Sequence, residues 1–399
     1  MPSNRLRKRR LRGILPPSEM YSLDDFGQMI ADKARIAAYV AAISRAVRPG
    51  DVVVDIGSGV GVFALLACQA GARKVYAIEG AEIVQWGKQI AAANGFAEKI
   101  EFLQADSRRV ELPEPANVIV SDLRGSLPLY GEALESIEDA RKRFLAPGGK
   151  MIPESDTLYA AIVDVGKSYE EIVSPWRDTL NGVDLSCILP TLLNSTFYTK
   201  VTQNSLLTEA KEWCRLDYAL SPSKRASAKI RFTACNPGTG QGIALWFETQ
   251  LFQDIHFTSG PSVDETIYGR MFLPWHEPVK LEQGEEIDVE IHADPVAGAY
   301  IWRWDTKFPG RKGYEKDCFR HSTFQSAKYS HEVLRRRASA FVPTLTEMGV
   351  AQRWMLQAID GEASLEEIAH SASAQFPKVF RDFDEALRAV TELSERFSN

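Results

Sequence analysis

The stretch VVVDIGSGVG, residues 52–61, constrains this chain more than any other. A β-branched run ends at Asp55 and enters a turn with glycine at 57, 59 and 61, and the residues that follow read as a helix. Glycine lets the backbone approach a ligand closely, and the first turn of a helix presents N–H groups with no partner of their own. Strand, glycine turn and helix in that order predict a ligand site at the carboxyl end of a parallel strand. Nicotinamide, flavin and adenosyl ligands all use such turns, so the ligand must be read from other residues.

The surroundings fit a doubly wound α/β sheet. Helical spacing over Asp32–Ala46, Gly61–Ala70, Ala81–Ala93 and Leu134–Phe144 alternates with strand-like runs at 52–56, Lys74–Glu79, Ile100–Leu103 and Ala116–Ser121. The last helix is expected to close in a turn at Ala146-Pro147-Gly148-Gly149. Beyond residue 151, alternating or apolar runs at Lys229–Ala234, Ile243–Phe252 and Glu286–Ala293 predict an antiparallel β domain, with a polar, Pro-punctuated insert at Pro175–Phe197. From about residue 345 the spacing is helical again, with a capping box at Ser364 and Glu367. A chain of 399 residues has room for two or three domains at about 150 residues each. The expected division is a basic mobile tail over 1–19, an α/β domain over 20–152, a β domain over 153–330 and a helical domain over 345–399.

Composition excludes several classes. Hydrophobic residues at 45% and charged residues at 25% rule out a disordered chain, and runs such as Ile36–Ile43 fall short of the roughly 18 apolar residues of a membrane span. The basic start has no apolar segment after it, so no secretory signal is read. Five scattered cysteines without a CxxC pair argue against a disulfide framework and for a reducing, cytoplasmic setting. The net charge of −6 gives no general attraction to nucleic acid. Six positive side chains within Arg5–Arg12 read as a solvated tail, or as a lure for an acidic partner. The histidines show no metal-ligand spacing, so no metal is expected. Trp302 and Trp304 alternate on a strand and read as core.

Three acidic residues select the ligand. Glu79 ends the second strand, where it can accept from both hydroxyls of a ribose; Asp106 follows the third strand, where an adenine amino group would lie; Asp55 can hold the turn or an ammonium group. Together they resemble the class I S-adenosylmethionine methyltransferases more than dehydrogenases. The segment YSLDDFGQMIADKARIAAYVAAI, residues 21–43, is similar to the N-terminal helical segment of the protein arginine methyltransferases, and so is ALESIEDARKRFLAPGGKMIPESDTLYAAIV at 133–163. GVDLSCI at 182–188 resembles that family's dimerisation arm, placed at about 174–198, and Gly284-Glu285-Glu286-Ile287 a late segment of its β-barrel domain. The resemblance runs from Tyr21 to Phe308. It implies S-adenosylmethionine as cofactor, held by Met29, Arg35, Asp55, Gly57, Gly59, Gly61, Glu79, Asp106 and Ser107, with Arg35 pairing with the methionyl carboxylate. It further implies a peptide or protein substrate met by Tyr21 and Arg124, and a head-to-tail homodimer.

The acceptor loop departs from the family, which places two glutamates on a loop after the fourth strand to grip a guanidinium. Here Asp122 stands at the first glutamate position, Gly131 at the second, and Glu132 one residue later. The family's Met-Gly-Tyr has become Arg124-Gly125-Ser126, and Glu265-Thr266-Ile267 replaces a Thr-His-Trp. Three accounts stay open. Asp122 and Glu132 bracket a guanidinium as catalytic carboxylates; or Arg124 binds an anionic group while Asp122 acts as base toward another acceptor; or Asp122 and Arg124 form a structural salt bridge in a binding protein without turnover. The tail from Met355 resembles the small winged-helix domain of the PqqD type, on Asp360-Gly361, Ser364-Leu365-Glu366-Glu367-Ile368 and the apolar stripe Leu387, Val390 and Leu393. That resemblance implies capture of the leader peptide of a ribosomally made precursor by strand addition.

Overall fold

The computed structural model describes residues 21–264, 266–309, 319–328 and 330–398. The Arg5–Arg12 cluster, Glu265 and Cys318 lie outside the described residues. There are two compact units, the first running to Ala327 and the second spanning Lys328–Asn399.

In the first unit, α1 (Leu23–Ala31) starts at a reciprocal cap between Ser22 and Asp25, and α2 (Lys33–Ala46) starts at Asp32. The stripe Tyr39, Ala42, Ile43 and Ala46 turns α2 into the core. Strands β1 (Val52–Ile56), β2 (Lys74–Glu79), β3 (Ile100–Gln104), β4 (Ala116–Ser121) and β5 (Leu145–Ile152) form a sheet in the order β3-β2-β1-β4-β5, all parallel. Helices α3 (Val62–Gln69), α4 (Val84–Ala93) and α5 (Ala133–Phe144) make the connections. All five residues of β1 are buried, as expected of a central strand covered on both faces. The strand order reverses between β1 and β4, so their carboxyl ends form the switch point at which such sheets bind ligands.

The turn expected at Ala146–Gly149 is instead part of β5. The strand pairs with β4 through Ala116–Leu145 and resumes at Val118–Lys150, and the surplus residues are absorbed in a bulge where Gly148 takes a φ of 75°. Proline and glycine signalled a break in the helix, and here they mark an irregular strand edge.

The chain continues through β6 (Ser155–Val163), α6 (Gly166–Arg177), α7 (Leu189–Leu192), β7 (Phe197–Tyr198), β8 (Lys211–Asp217), β9 (Ala226–Thr233), β10 (Gly238–Phe252), β11 (Ile255–Thr258), β12 (Met271–Leu281), β13 (Glu286–Val296), β14 (Ala299–Lys307) and β15 (Phe319–Ser322). One antiparallel sheet runs β7-β12-β10-β6-β8 with β11 against β10, and a second runs β15-β14-β13-β9. Among the described residues the strands close no barrel, and a lone bridge, Thr208–Ala234, joins the ends of the two sheets. Trp302 and Trp304 are buried. One continuous apolar core links Val54, Ile56 and Tyr76 of the parallel sheet to Phe232, Phe247 and Trp275 of the antiparallel ones. The insert after β6 is the expected non-strand arm, and Leu180, Val183 and Ile188 are exposed on it.

The second unit holds α8 (His331–Arg337), which buries no residue, and α9 (Glu347–Ala358), α10 (Leu365–Gln375) and α11 (Phe383–Phe397), which pack around Met355, Ile368, Phe380 and Val390. The Ser364–Glu367 capping box is formed. No strand occurs among this unit's described residues, so the sheet edge that leader-peptide addition requires is not in it. The reason lies in the sequence: apolar residues keep helical spacing from 347 onward, and Pro343 interrupts the one extended stretch before α9. No helix among the described residues is long and apolar enough to cross a membrane. Cys68, Cys187, Cys214 and Cys235 are free thiols.

Candidate active site

On the β1 side of the switch point, Asp55 is 1% exposed. Its Oδ2 accepts the N–H of Ala64 at 3.1 Å, fixing the start of α3 to the strand. Its Oδ1 is buried with no partner. Burial first, with Glu79 nearby adding repulsion against the Ala64 hydrogen bond, pushes this carboxyl up to about 7. Glu79 ends β2 and reaches back to the turn, its Oε2 accepting the N–H of Gly59 and its Oε1 that of Ala81, both at 3.0 Å. Gly59 has φ 54°, and a Cβ there would fall 2.3 Å from the ring of Phe26. Phe26 of α1 thus lies directly on the glycine turn, with Tyr21 edge-on to it at 6.0 Å and half-buried Met29 on the same helix.

An adenosyl amino acid matches these residues. The orphaned Asp55 oxygen suits an ammonium group, and Glu79 presents a carboxylate at the end of β2. Asp106 is less free: Arg108 grips both its oxygens at 2.7–3.2 Å, and that hydrogen bonding holds the carboxyl below its ordinary range. Ser107 is buried beside it, its carbonyl accepting from Arg143 at 2.7 Å. Among the described residues, no cluster of three His, Cys, Asp or Glu side chains suits a metal ion.

The β4 side is built differently. Asp122, the residue after β4, is almost fully buried, and both its oxygens are taken. Oδ2 accepts Arg35 Nε at 2.7 Å and Nη2 at 2.6 Å; Oδ1 accepts Arg124 Nη1 at 3.1 Å; the Tyr268 hydroxyl lies 2.9 and 2.7 Å from the two. Arg124 is deeper still, its side chain 3% exposed. Its Nε donates to Asp156 Oδ2 at 2.9 Å, its Nη1 also to the Tyr39 hydroxyl at 3.2 Å, and its Nη2 to Thr249 Oγ1 at 2.8 Å. Tyr218 donates to the same Asp156 oxygen at 2.5 Å. The rings of Phe247 and Phe257 lie 5.2 and 5.9 Å from the Arg124 guanidinium, within cation–π range. Burial works against the charge on Asp122, but Arg35 and Arg124 outweigh it and hold the carboxyl below its usual range. Arg35 ties this cluster to α1, its Nη1 donating to the Met29 carbonyl at 3.1 Å.

Glu132 belongs to another group. Gly131 has φ 51°, in the left-handed region that favours glycine, so a side chain at the position matching the family's second glutamate would be strained. The acid stands one residue on, at the start of α5, where it pairs with Arg108 at 2.7 Å with its side chain 48% exposed. Asp122 and Glu132 share no partner. Farther along the chain, Ile267 donates its N–H to Asp32 at 3.1 Å.

Sequence reading missed Tyr39, Asp156, Tyr218, Thr249 and Tyr268. Asp156 carried only a weak signal, an acid between Ser155 and Thr157 ahead of the apolar run that ends β6; the tyrosines carried none that set them apart from core residues.

Residues 154–305 match the family model described as the arginine methyltransferase oligomerization subdomain, and residues 37–155 match that of ribosomal protein L11 methyltransferase. The chain is related to the protein arginine methyltransferases. A probable protein arginine N-methyltransferase 6 of Arabidopsis thaliana is 30% identical over 232 residues, which span 56% of this chain but only 53% of that relative. Protein arginine N-methyltransferase 1 of Dictyostelium discoideum is 27% identical over 278 residues, 67% of this chain and 81% of the relative. Among solved structures, the enzyme–prozyme complex of Trypanosoma brucei protein arginine methyltransferase 1 with AdoHcy matches at TM-score 0.69 and 20% identity, over 74% of this chain and 97% of that one. Arabidopsis thaliana protein arginine methyltransferase 10 matches at TM-score 0.65 and 19% identity, over 76% and 98%. These solved structures share the fold of the first unit.

Proposed function

We propose that this chain is an S-adenosylmethionine-dependent methyltransferase acting on a side chain of a peptide or protein. The observation that carries this reading is the β1 side of the switch point: a buried Asp55 with one oxygen unpartnered, above a glycine turn tied to Glu79. Asp55 holds the ammonium group of the cofactor, Glu79 its ribose, and Arg35 its carboxylate after exchanging it for Asp122. Phe26 and Leu123, which lie on the turn, move aside to admit the ligand. The bound cofactor supplies an activated methyl group; the chain's own residues orient it, exclude water and present the acceptor in line. Aromatic groups around Arg35 and Arg124 (buried Tyr39, Phe63 and Phe247, and half-buried Phe257) keep the centre dry, which strengthens every charge in it.

Calorimetric titration with S-adenosylhomocysteine tests the reading. Saturable one-site binding that Asp55→Asn weakens about tenfold or more is the expected result. A chain that binds neither S-adenosylhomocysteine nor S-adenosylmethionine is not a methyltransferase.

The arm that carries Leu180, Val183 and Ile188 pairs two copies of the chain, supported by their exposure and by the match to an oligomerization subdomain. Light scattering should report a dimer that Leu180→Asp with Val183→Asp converts to monomer. The helical unit serves as the recognition module for a precursor peptide, through helix faces such as that of the exposed Met348 rather than a sheet edge. Deleting residues 345–399 should then cut turnover on a full-length precursor while leaving cofactor binding intact.

A further inference from the structure

The acceptor end of the site is electrically complete before any acceptor arrives. Arg35 and Arg124 face Asp122 and Asp156, two positive groups against two negative ones, and every nitrogen of the Arg124 guanidinium is hydrogen-bonded. If Arg35 turns to a cofactor carboxylate, two carboxylates remain with one guanidinium, and the sulfonium of the cofactor balances the remaining charge. A substrate guanidinium would add a further cation to a desolvated site beside Arg124, whose charge already stands against both remaining carboxylates. Glu132, the other candidate carboxylate, is paired with Arg108 in a separate, half-exposed group.

Resting on the methyl-transfer reading above, we infer that the acceptor is an uncharged nitrogen with an open lone pair, the imidazole of a histidine side chain, and that Arg124 is the residue that excludes arginine. Proton economy narrows the class. With Arg35 turned to the cofactor, Asp122 still accepts from the Arg124 guanidinium and the Tyr268 phenol and makes a poor base, so hydroxyl or ammonium acceptors, which must lose a proton to react, are disfavoured. A neutral imidazole needs no base. Its lone pair forms the new N–C bond as the C–S bond breaks, the bonding pair leaves on sulfur as a neutral thioether, and the resulting methylimidazolium sheds its N–H proton to water. A carboxylate also has an open lone pair, but it would add a negative charge to a balanced site.

The test uses the full chain with methyl-labelled S-adenosylmethionine and two pools of short peptides: one containing histidine without arginine, the other arginine without histidine. Acid hydrolysis and amino-acid analysis should give methylhistidine, with label on the arginine pool at least tenfold lower. Calorimetry on the chain saturated with S-adenosylhomocysteine should show no heat with an arginine peptide. The double variant Arg124→Met with Asp156→Asn, which removes one cation and one anion together, should gain both arginine binding and methylarginine. Methylarginine from the unaltered chain at a comparable rate overturns the inference. So do base-labile label, which marks a carboxylate ester, and absence of label from both pools while S-adenosylhomocysteine binds. If the double variant fails to fold by circular dichroism, the outcomes with the unaltered chain still decide. Failure to bind S-adenosylhomocysteine at all is the separate result that removes the methyltransferase reading.

Discussion

On the β1 side of the switch point a buried carboxylate stands without an ion-pair partner; on the β4 side two guanidiniums pair with two carboxylates, although Asp156 Oδ1, like Asp55 Oδ1, is buried without a hydrogen bond. The two sides occupy adjacent strand ends of one sheet, so position in the fold does not set the difference. Partners do. A buried acid without a cation is raised toward neutrality, as Asp55 is, and is costly unless a ligand answers it. A buried acid that owns its cations, as Asp122 does, is held ionised and stabilises the fold only as a set. The half without an ion pair points to a ligand, and the half whose charges are paired limits which acceptor can follow it.

The comparison breaks most readily at Asp156. Asp156→Ala leaves Arg124 buried beside a single remaining carboxylate, and should cost about 3–5 kcal/mol in a denaturant titration. A loss under 1 kcal/mol would mean that Arg124 reaches water and the centre is not closed. The next largest effect is expected at Asp55. Its alanine variant should weaken S-adenosylhomocysteine binding by about 1.5–3 kcal/mol, roughly ten- to a hundredfold. The same carboxyl sets a pH dependence. Its proton is held up to about pH 7, so affinity in the intact chain should fall as pH drops below that value, by up to about tenfold per unit, whereas Asp55→Asn should be flat. A smaller loss, about tenfold, is expected for Glu79→Ala, because it removes a ribose acceptor and also releases the Gly59 N–H. Least of all should change with Glu132→Gln. Its ion pair with Arg108 is half-exposed, and melting and cofactor affinity should move by less than about 1 kcal/mol. Abolished turnover with an unchanged melting temperature would instead place Glu132 at the acceptor.

Much of this was legible in the sequence, and the remainder failed for identifiable reasons. The parallel sheet and its glycine turn follow from β-branched runs and glycine spacing, which are local signals. The capping box at Ser364 is equally local. The bulge in β5 was missed because proline and glycine mark a break in regular structure without saying which kind. The acceptor cluster was missed in larger part because its members are distant in sequence: Tyr39 on α2, Asp156 on β6, Thr249 on β10, and Tyr218 and Tyr268 in the segments after β8 and β11 meet only through the fold. Arg124 drew notice as a cation in an acidic pocket, but its principal partner, Asp156, lies 32 residues away on the first strand of the β domain. In the second unit the helical pattern was legible and is built, while the strand addition that the resemblance implied finds no strand among the described residues.

Asp32 joins these parts in a way that bears on how the ligand enters. One of its oxygens accepts the Arg35 N–H at the start of α2, and the other accepts the N–H of Ile267 in the segment between β11 and β12. The residue sits between two helices with ψ 87°, so it is both joint and anchor. A door hung this way would open about its hinge post: a swing of α1, carrying Phe26 and Met29, about Asp32 would clear the glycine turn while Tyr39, farther along α2, kept its bond to the Ser121 carbonyl. The same rotation would draw the Met29 carbonyl away from Arg35, so loosening that arginine's hold and uncovering the turn are one event in this geometry.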